Sequence, residues 1–328
     1  MKLTKSNLIV VQFGVLALTW GASFLFIKVG LEGLSPAQLV LGRLLSGALA
    51  LLLLVSVSSV RLPHLGVVWL HLTVVAVLLC VAPFLLFARA EEHVSSGLAS
   101  IYNATTPLMT MAVALVALPE ERPTRSRLVG LLAGFAGVLI VLGPWRGVGA
   151  GSAWAQAQCV LATACYGLAF VYLRRFVAPH RLPAIAAATI QVCAGAVIML
   201  VLSPAFGTHP LQLNARVVSS VAALGVVGTG LAYVWNTNVV SAWGATNAST
   251  VTYLTPVVGV SLGATLLSEQ LQWNQPVGAL LVIAGIAITQ DRLPRGRPAR
   301  LNLVPTTPGG DATIAPPTAG RRPVPKAW

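Results

Sequence analysis

The sequence predicts an all-α integral membrane protein with ten transmembrane helices in two inverted five-helix repeats. Three observations lead there. The chain of 328 residues is 56% hydrophobic and only 9% charged, whereas a soluble domain is about 25% charged; its mean hydropathy is +0.82. The apolar residues come in runs of roughly 20, the length a spanning helix needs. The second half of the chain also echoes the first, at offsets of 146 and 149 residues.

The first span, 8–27, follows Met-Lys-Leu-Thr-Lys and is long for a signal-peptide core, so it reads as a retained helix. It carries Trp20, Ser23 and Phe24 and ends at Lys28. The second, 37–57, holds Arg43 about two turns inside. A charge within the bilayer is a functional candidate by default. Arg43 suits a substrate carboxylate, and it equally suits headgroups or backbone carbonyls. The third span, 67–88, contributes Phe84 and a lone histidine of structural type, His71. The fourth, 94–118, contains "IYNATTPLMT", with Tyr102, Asn103, Thr105 and Thr106 gathered before Pro107. Proline cannot donate to the carbonyl four residues back, so Pro107 frees the carbonyl of Asn103. An unmet carbonyl in hydrocarbon is costly. Either a central cavity meets it, or Thr106 and a neighbouring helix do. The fifth span, 126–143, spaces Gly130, Gly134 and Gly137 for close helix approach.

The sixth span, 152–173, opens the second repeat. Its "CYGLAFVYLR" echoes "TWGASFLFIK" and sets Tyr166 against Trp20. The seventh, 183–203, is an apolar run. The eighth, 217–238, brings Tyr233 to the place of Phe84, with Trp235 and Asn236 nearby. In the ninth, 243–267, "LTPVVGVSLGATLLSEQ" echoes "TTPLMTMAVALVALPEE". Pro256 therefore matches Pro107 and frees the carbonyl of Thr252, beside Tyr253. Glu120 and Glu269 match as loop-anchoring residues. The tenth span, 274–290, repeats Gly130 and Gly137 as Gly278 and Gly285. Trp69, Trp145, Trp154, Trp243 and Trp273 sit at span ends, as interfacial belts require.

Five is an odd number, so the second unit enters the membrane upside down relative to the first. The expected units are 1–145 and 150–291, followed by a tail, 292–328. That tail holds eight of the 21 prolines and seven of the 21 basic residues. It reads as a disordered, basic cytoplasmic segment that brushes anionic headgroups. The remaining Lys and Arg favour the loops on the N-terminal side. The positive-inside rule then places both termini in the cytoplasm of a multi-pass cell-membrane protein. The net charge of +13 is accounted for as topology, which argues against nucleic-acid binding.

Other chemistries lack their residues. The four cysteines lie in apolar runs without CxxC spacing, so neither a disulfide framework nor a metal site is expected. No GxxxxGK[ST] loop supports a nucleotide-driven pump, and no cofactor motif appears. A membrane-embedded enzyme acting on a lipid or lipid-linked substrate would need clustered Asp, His or Cys at a membrane face. That enzyme, or a passive structural membrane partner, stands as the alternative.

"WGASFLFIKVGLEGLSPAQLVLGRLL" and "ARAEEHVSSGLASIYNATTPLMTMAVALVALPEERPTRSRLVGLLAGFAGVLIV" resemble the EamA family of the drug/metabolite transporter superfamily. The resemblance covers roughly 8–290. It implies ten helices, two inverted repeats and a central cavity open alternately to either side. It also implies movement of small metabolites such as amino acids, nucleosides or sugars, often outward. Small four-helix drug/proton antiporters of that superfamily use a buried acid in their first helix. Here no Asp or Glu lies in 8–27, which leaves proton coupling without an evident carrier. The expected function is a secondary transporter or exporter of an amino acid or related metabolite, as monomer or homodimer. Trp20, Ser23, Arg43, Tyr102, Asn103, Tyr166, Tyr233, Trp235, Asn236, Thr252 and Tyr253 are the substrate-binding candidates. Pro107 and Pro256 are the helix-break or gating candidates.

Overall fold

A computed structural model describes residues 5–117, 124–142, 150–206, 210–243 and 251–289. The described chain is helical, and no strand occurs among the described residues. The first repeat comprises α1 (Lys5–Gly30), α2 (Pro36–Ser56), α3 (Val67–Ala90), α4 (Ser96–Ala117, interrupted after Asn103) and α5 (Arg125–Leu142). The second comprises α6 (Ala150–Tyr172), α7 (Ala184–Leu202), α8 (starting with Ala215–Ala222 and ending with Ala232–Trp243), α9 (Val251–Leu266) and α10 (Asn274–Thr289). Seven of the helical spans are long and apolar enough to cross a bilayer by length and composition. The apolar cores of α5, α9 and α10 are shorter: Leu128–Val141, Leu254–Leu266 and Asn274–Ile288. Together they match the ten expected spans. Glu120, Trp145 and the tail 292–328 lie outside the described residues, as do the side chains of Trp243, Thr252 and Tyr253.

Helix starts are set by local chemistry. Ser35 accepts from the Gln38 amide while the Gln38 side chain accepts from the Ser35 amide, a reciprocal capping box ahead of α2. Ser95 caps α4 through the Leu98 amide, and Asn214 caps α8 through the Val217 amide. Leu18, Leu49, Leu53, Leu132 and Leu280 are exposed on the bundle exterior. That is the distribution expected of a lipid-facing surface.

Contacts between helix ends sort them into two groups. At one end Arg216 pairs with Glu32 at 3.2 Å, and the Gln212 amide donates to Gly33 O. There too, Lys28 reaches the carbonyls of the α3–α4 turn. At the other end His71 Nδ1 lies 2.8 Å from the Tyr172 hydroxyl, and Arg175 donates to Ala117 O. Loops an even number of spans apart therefore share an end, as alternating spans require. His71 also stacks on Phe176, a structural role.

The two repeats carry matching irregularities. The third helix of each holds a π-helical stretch, Val77–Val81 in α3 and Ala223–Leu231 in α8. The first helix of each crosses the proline helix of the other. Gly21 of α1 meets α9 so closely that a Cβ there would lie 2.9 Å from Thr255 O. Gly167 of α6 meets α4 equally closely, with a Cβ at 2.9 Å from Met109 O. Finally α5 and α10 pack backbone to backbone. A Cβ at Gly137 would lie 2.8 Å from Gly278 O, and one at Gly278 would lie 2.6 Å from Gly137 O.

Candidate functional site

Both proline helices are crossed closely by a first helix, and around Pro107 the Asn103 carbonyl and the hydroxyls of Tyr102, Thr105 and Thr106 have local partners. The carbonyl of Asn103, which Pro107 leaves free, accepts from Thr106 Oγ1 at 2.8 Å. Thr105 Oγ1 donates to Tyr102 O at 2.7 Å and lies 3.2 Å from Thr163 Oγ1 of α6. Tyr102 is fully buried, and its hydroxyl donates to Gln156 Oε1 at 2.7 Å. Asn103 is half-buried. Of the two readings of the free Asn103 carbonyl, the geometry gives healing by Thr106. Substituting Tyr102→Phe strands the Gln156 oxygen in the core. The expected cost is about 1–3 kcal/mol, read as a lower unfolding temperature of the purified protein in detergent.

A second constellation lies between the repeats and is built around Arg43. Gly47 of α2 and Gly225 of α8 let these helices touch: a Cβ at Gly225 would lie 2.5 Å from Arg43 O and 2.9 Å from the Gly47 amide nitrogen. That contact carries Arg43 to the π-helical stretch of α8. Arg43 Nε donates to Thr229 Oγ1 at 3.2 Å, and Thr229 in turn donates to Leu224 O, five residues back, at 3.0 Å. The guanidinium lies 3.7 Å from the centre of the Phe84 ring, just after the π-helical stretch of α3. Each repeat's third helix thus supplies one partner to the same arginine. A π turn shifts the facing of the residues after it, and such turns recur at functional sites.

Tyr166 and Tyr233 complete this site. Both are half-buried and both interact electrostatically with Arg43. Gln191 Nε2 of α7 donates to the Tyr233 hydroxyl at 2.8 Å, and Tyr233 also hydrogen-bonds the Cys80 thiol. Phe87 stands 6.2 Å from Tyr166 and meets Phe24 edge to face. Ser23 Oγ donates to Thr19 O at 2.9 Å, beside Gly228 of the α8 π stretch. The result is one cation, two phenols, an amide and aromatic faces between two repeats.

The other candidates lie apart. Trp20 and Trp235 pack together with Leu16, Ala232 and Val251 where α1, α8 and α9 meet. Asn236 is half-buried on α8. Trp154 and Trp273 are exposed, as a belt requires. A cleft of about 360 Å³ opens at the end that holds Lys28, between Ser35, Arg89, Glu92, Trp154, Gln158 and Phe206. Gln191 and Thr229 were not among the expected residues. Their signal was a polar side chain within an apolar run, Gln191 two residues after Thr189 in α7 and Thr229 between two glycines in α8.

Known proteins resemble this one along most of its length. The EamA-like transporter family matches the chain twice, over 8–143 and 153–290. An uncharacterized transporter, YdfC, of Bacillus subtilis is 26% identical over 87% of this chain and 92% of its own. The uncharacterized inner membrane transporter YedA of Escherichia coli is 25% identical over 78% of this chain and 82% of its own. A probable terminal-alkyne amino-acid exporter of Streptantibioticus cattleyicolor is 28% identical over 89% of this chain and 95% of its own. One solved crystal structure superposes with a TM-score of 0.60 at 18% identity, covering 85% of this chain and 95% of that one. It shares the fold.

Proposed function

Because the chain belongs to the EamA-like transporter family, we propose that this multi-pass membrane transporter exports an amino acid or a closely related amphipathic metabolite. It does so as a secondary transporter, by alternating access through the space between its repeats. The observation that carries this reading is the Arg43 constellation. Arg43 of the first repeat is held by Thr229 of the second, with Tyr166, Tyr233 and Gln191 around it. A guanidinium takes a carboxylate in a planar, two-pronged fashion. The hydroxyls and the amide suit an ammonium or other polar edge, and Phe84 and Phe87 suit an apolar side chain. Rocking of the repeats would pull Arg43 and Thr229 apart, so binding and opening use the same contact. The exporter from Streptantibioticus adds support for an amino-acid substrate.

Trp20, Ser23, Tyr102, Asn103, Trp235, Asn236, Thr252 and Tyr253 then line the path or set its hinges, with Pro107 and Pro256 as the flexing points of α4 and α9. Both termini lie in the cytoplasm of the cell membrane, from the positive-inside bias. The tail contacts anionic lipid, and the bundle works as a monomer or a homodimer. Transport, the activity of the family, replaces the lipid-enzyme alternative.

The test is counterflow in proteoliposomes that hold the purified full chain. With a mixture of ¹⁴C-labelled L-amino acids, saturable exchange above empty liposomes is expected. Exchange of labelled nucleosides or sugars with none of amino acids would overturn the substrate class.

A further inference from the structure

The cleft at the Lys28 end lies outside the site around Arg43, yet the same helices build both. Ala37 in the first turn of α2, Arg89 in the last turn of α3 and Gln158 early in α6 all line the cleft. Arg43 follows Ala37 by six residues, Phe84 precedes Arg89 by five, and Tyr166 follows Gln158 by eight. At 1.5 Å per residue the cleft lies about 8–12 Å from the level of the arginine, on three helices at once. An aromatic layer stands between the two levels. Phe87, one turn beyond Phe84, meets Phe24 at 5.5 Å and Tyr166 at 6.2 Å between ring centres.

The walls of the cleft come from both repeats. The first supplies α2, α3 and the α3–α4 turn, and the second supplies α6 and the turn after α7 that ends at Phe206. The α3–α4 turn is held from two sides. Lys28 donates to the carbonyls of Glu91 and Val94, and Glu269 accepts from the Ser96 amide at 2.7 Å and the Gly97 amide at 3.0 Å. Within that turn Glu91 is 0% exposed, while Glu92 lines the cleft. The polar groups of the cleft are not paired with one another. Among the described residues Arg89 and Glu92 make no ion pair, with each other or with a third group. Arg89 instead lies 5.8 Å from the centre of the Phe206 ring. Gln158 is only 8% exposed, and its amide has no hydrogen-bond partner among the described residues. A buried amide of that kind is costly until something meets it.

A cation and an anion that stay apart in one small cleft suit a molecule that carries both charges. The volume of about 360 Å³ has room for a ligand of amino-acid size. Arg89 takes the carboxylate, supported by the positive end of α2 at Ala37. Glu92 takes the ammonium, Gln158 meets a remaining polar edge, and Trp154 and Phe206 face an apolar side chain. We propose that this cleft is a second site for a zwitterionic amino acid, which holds the substrate between the Arg43 site and the water at this end. With both termini cytoplasmic, that end faces outward. Arg89 and Glu92 are open to water, so the site is weak, with half-saturation at about 1 mM. This inference rests on the transport reading above and adds an outer station to it.

The test follows tryptophan fluorescence of the purified full chain, with L-leucine as the probe. A saturable change is expected that Trp154→Phe removes and Arg43→Gln keeps. Arg89→Gln and Glu92→Gln should each raise the half-saturating concentration about fivefold, the most that an exposed charge pair supplies. Leucine without its ammonium, 4-methylpentanoate, and leucine without its carboxylate, 3-methylbutylamine, should each bind about fivefold more weakly for the same reason. Arg89, Glu92 and Trp154 are exposed, so their variants should fold as the wild type does. Glu32→Gln removes a charge at the same end but outside the cleft, and it should change nothing. No saturable change overturns the proposal, as does a change lost in Arg43→Gln or equal binding of leucine and its two analogues. A change given by dispersed phosphatidylethanolamine but not by leucine also overturns it, and makes the cleft a lipid-headgroup site.

In proteoliposomes, Arg89→Gln should slow counterflow of the ¹⁴C-labelled amino-acid mixture about fivefold below saturation and leave the saturated rate as it was. Unchanged counterflow at both concentrations overturns passage through the cleft. The two readings fail separately. A leucine signal without wild-type counterflow removes the transport reading and upholds the cleft as an amino-acid site. Counterflow without the signal keeps transport and removes the cleft.

Discussion

Arg43→Gln is expected to lower amino-acid counterflow by about 100-fold, the effect of losing a buried charge partner worth about 3 kcal/mol. Arg43 is 7% exposed, in a bundle whose charges otherwise sit near helix ends. Glutamine is too short to reach Thr229 from α2, and it lacks the charge that lies over the Phe84 ring. Arg43→Lys keeps the charge but not the planar fork, so it should fall between the two. The measurement is flux per mole of reconstituted protein, with unfolding temperature recorded alongside. Wild-type flux in the glutamine variant would remove Arg43 from the binding site. A fall in stability with unchanged flux would make it a strut between α2 and α8.

Gly285→Val should have the largest effect on folding. A Cβ at this position would lie 2.6 Å from Gly130 O and 2.6 Å from the Gly134 amide nitrogen. These are backbone atoms of α5, held in a helix, and they cannot swing aside. Overpacking of this kind costs about 1–3 kcal/mol for a single methyl, and valine adds two more carbon atoms to the same clash. The expected outcome is little folded protein in the membrane fraction and a broadened, lowered melting transition. Gly14→Ala is the matched control. Nothing lies within 4 Å of its Cβ position, so the exchange should be neutral or stabilise α1 by up to about 1 kcal/mol. Equal behaviour of the two variants would mean that α5 and α10 do not pack as described.

Much of this architecture was legible because the chain states it twice. The recurrence of Pro107 as Pro256, and of Gly130 and Gly137 as Gly278 and Gly285, identified the duplicated unit. The same recurrences mark helix crossings in three dimensions. What each proline does was less legible, since Thr106 both signals a polar site and heals one. The π-helical stretches were not legible, because no residue type encodes an i→i+5 bond. They decide that Phe84 and Thr229 converge on Arg43. Glu91 was hidden for another reason. "RAEEHVSS" falls between the spans 67–88 and 94–118, yet Glu91 is buried there, in a turn held by Lys28 and Glu269, both distant along the chain.

The glycine-lined pairing of α5 with α10 has a consequence for how the protein is made. When α5 leaves the ribosome, the residues it must pack against are not yet synthesised: Gly278, opposite Gly137, is 141 residues further on, and Gly285, opposite Gly130, is 155 further on. Until then Gly134 can meet Leu108 of α4, while Gly130 and Gly137 lack the helix they pack against. Contacts of such long range form late and slowly. The first five helices are therefore inserted as an open half, and the last helix to emerge closes the bundle. A chain interrupted before α10 would be cleared as unfinished rather than kept as a smaller transporter.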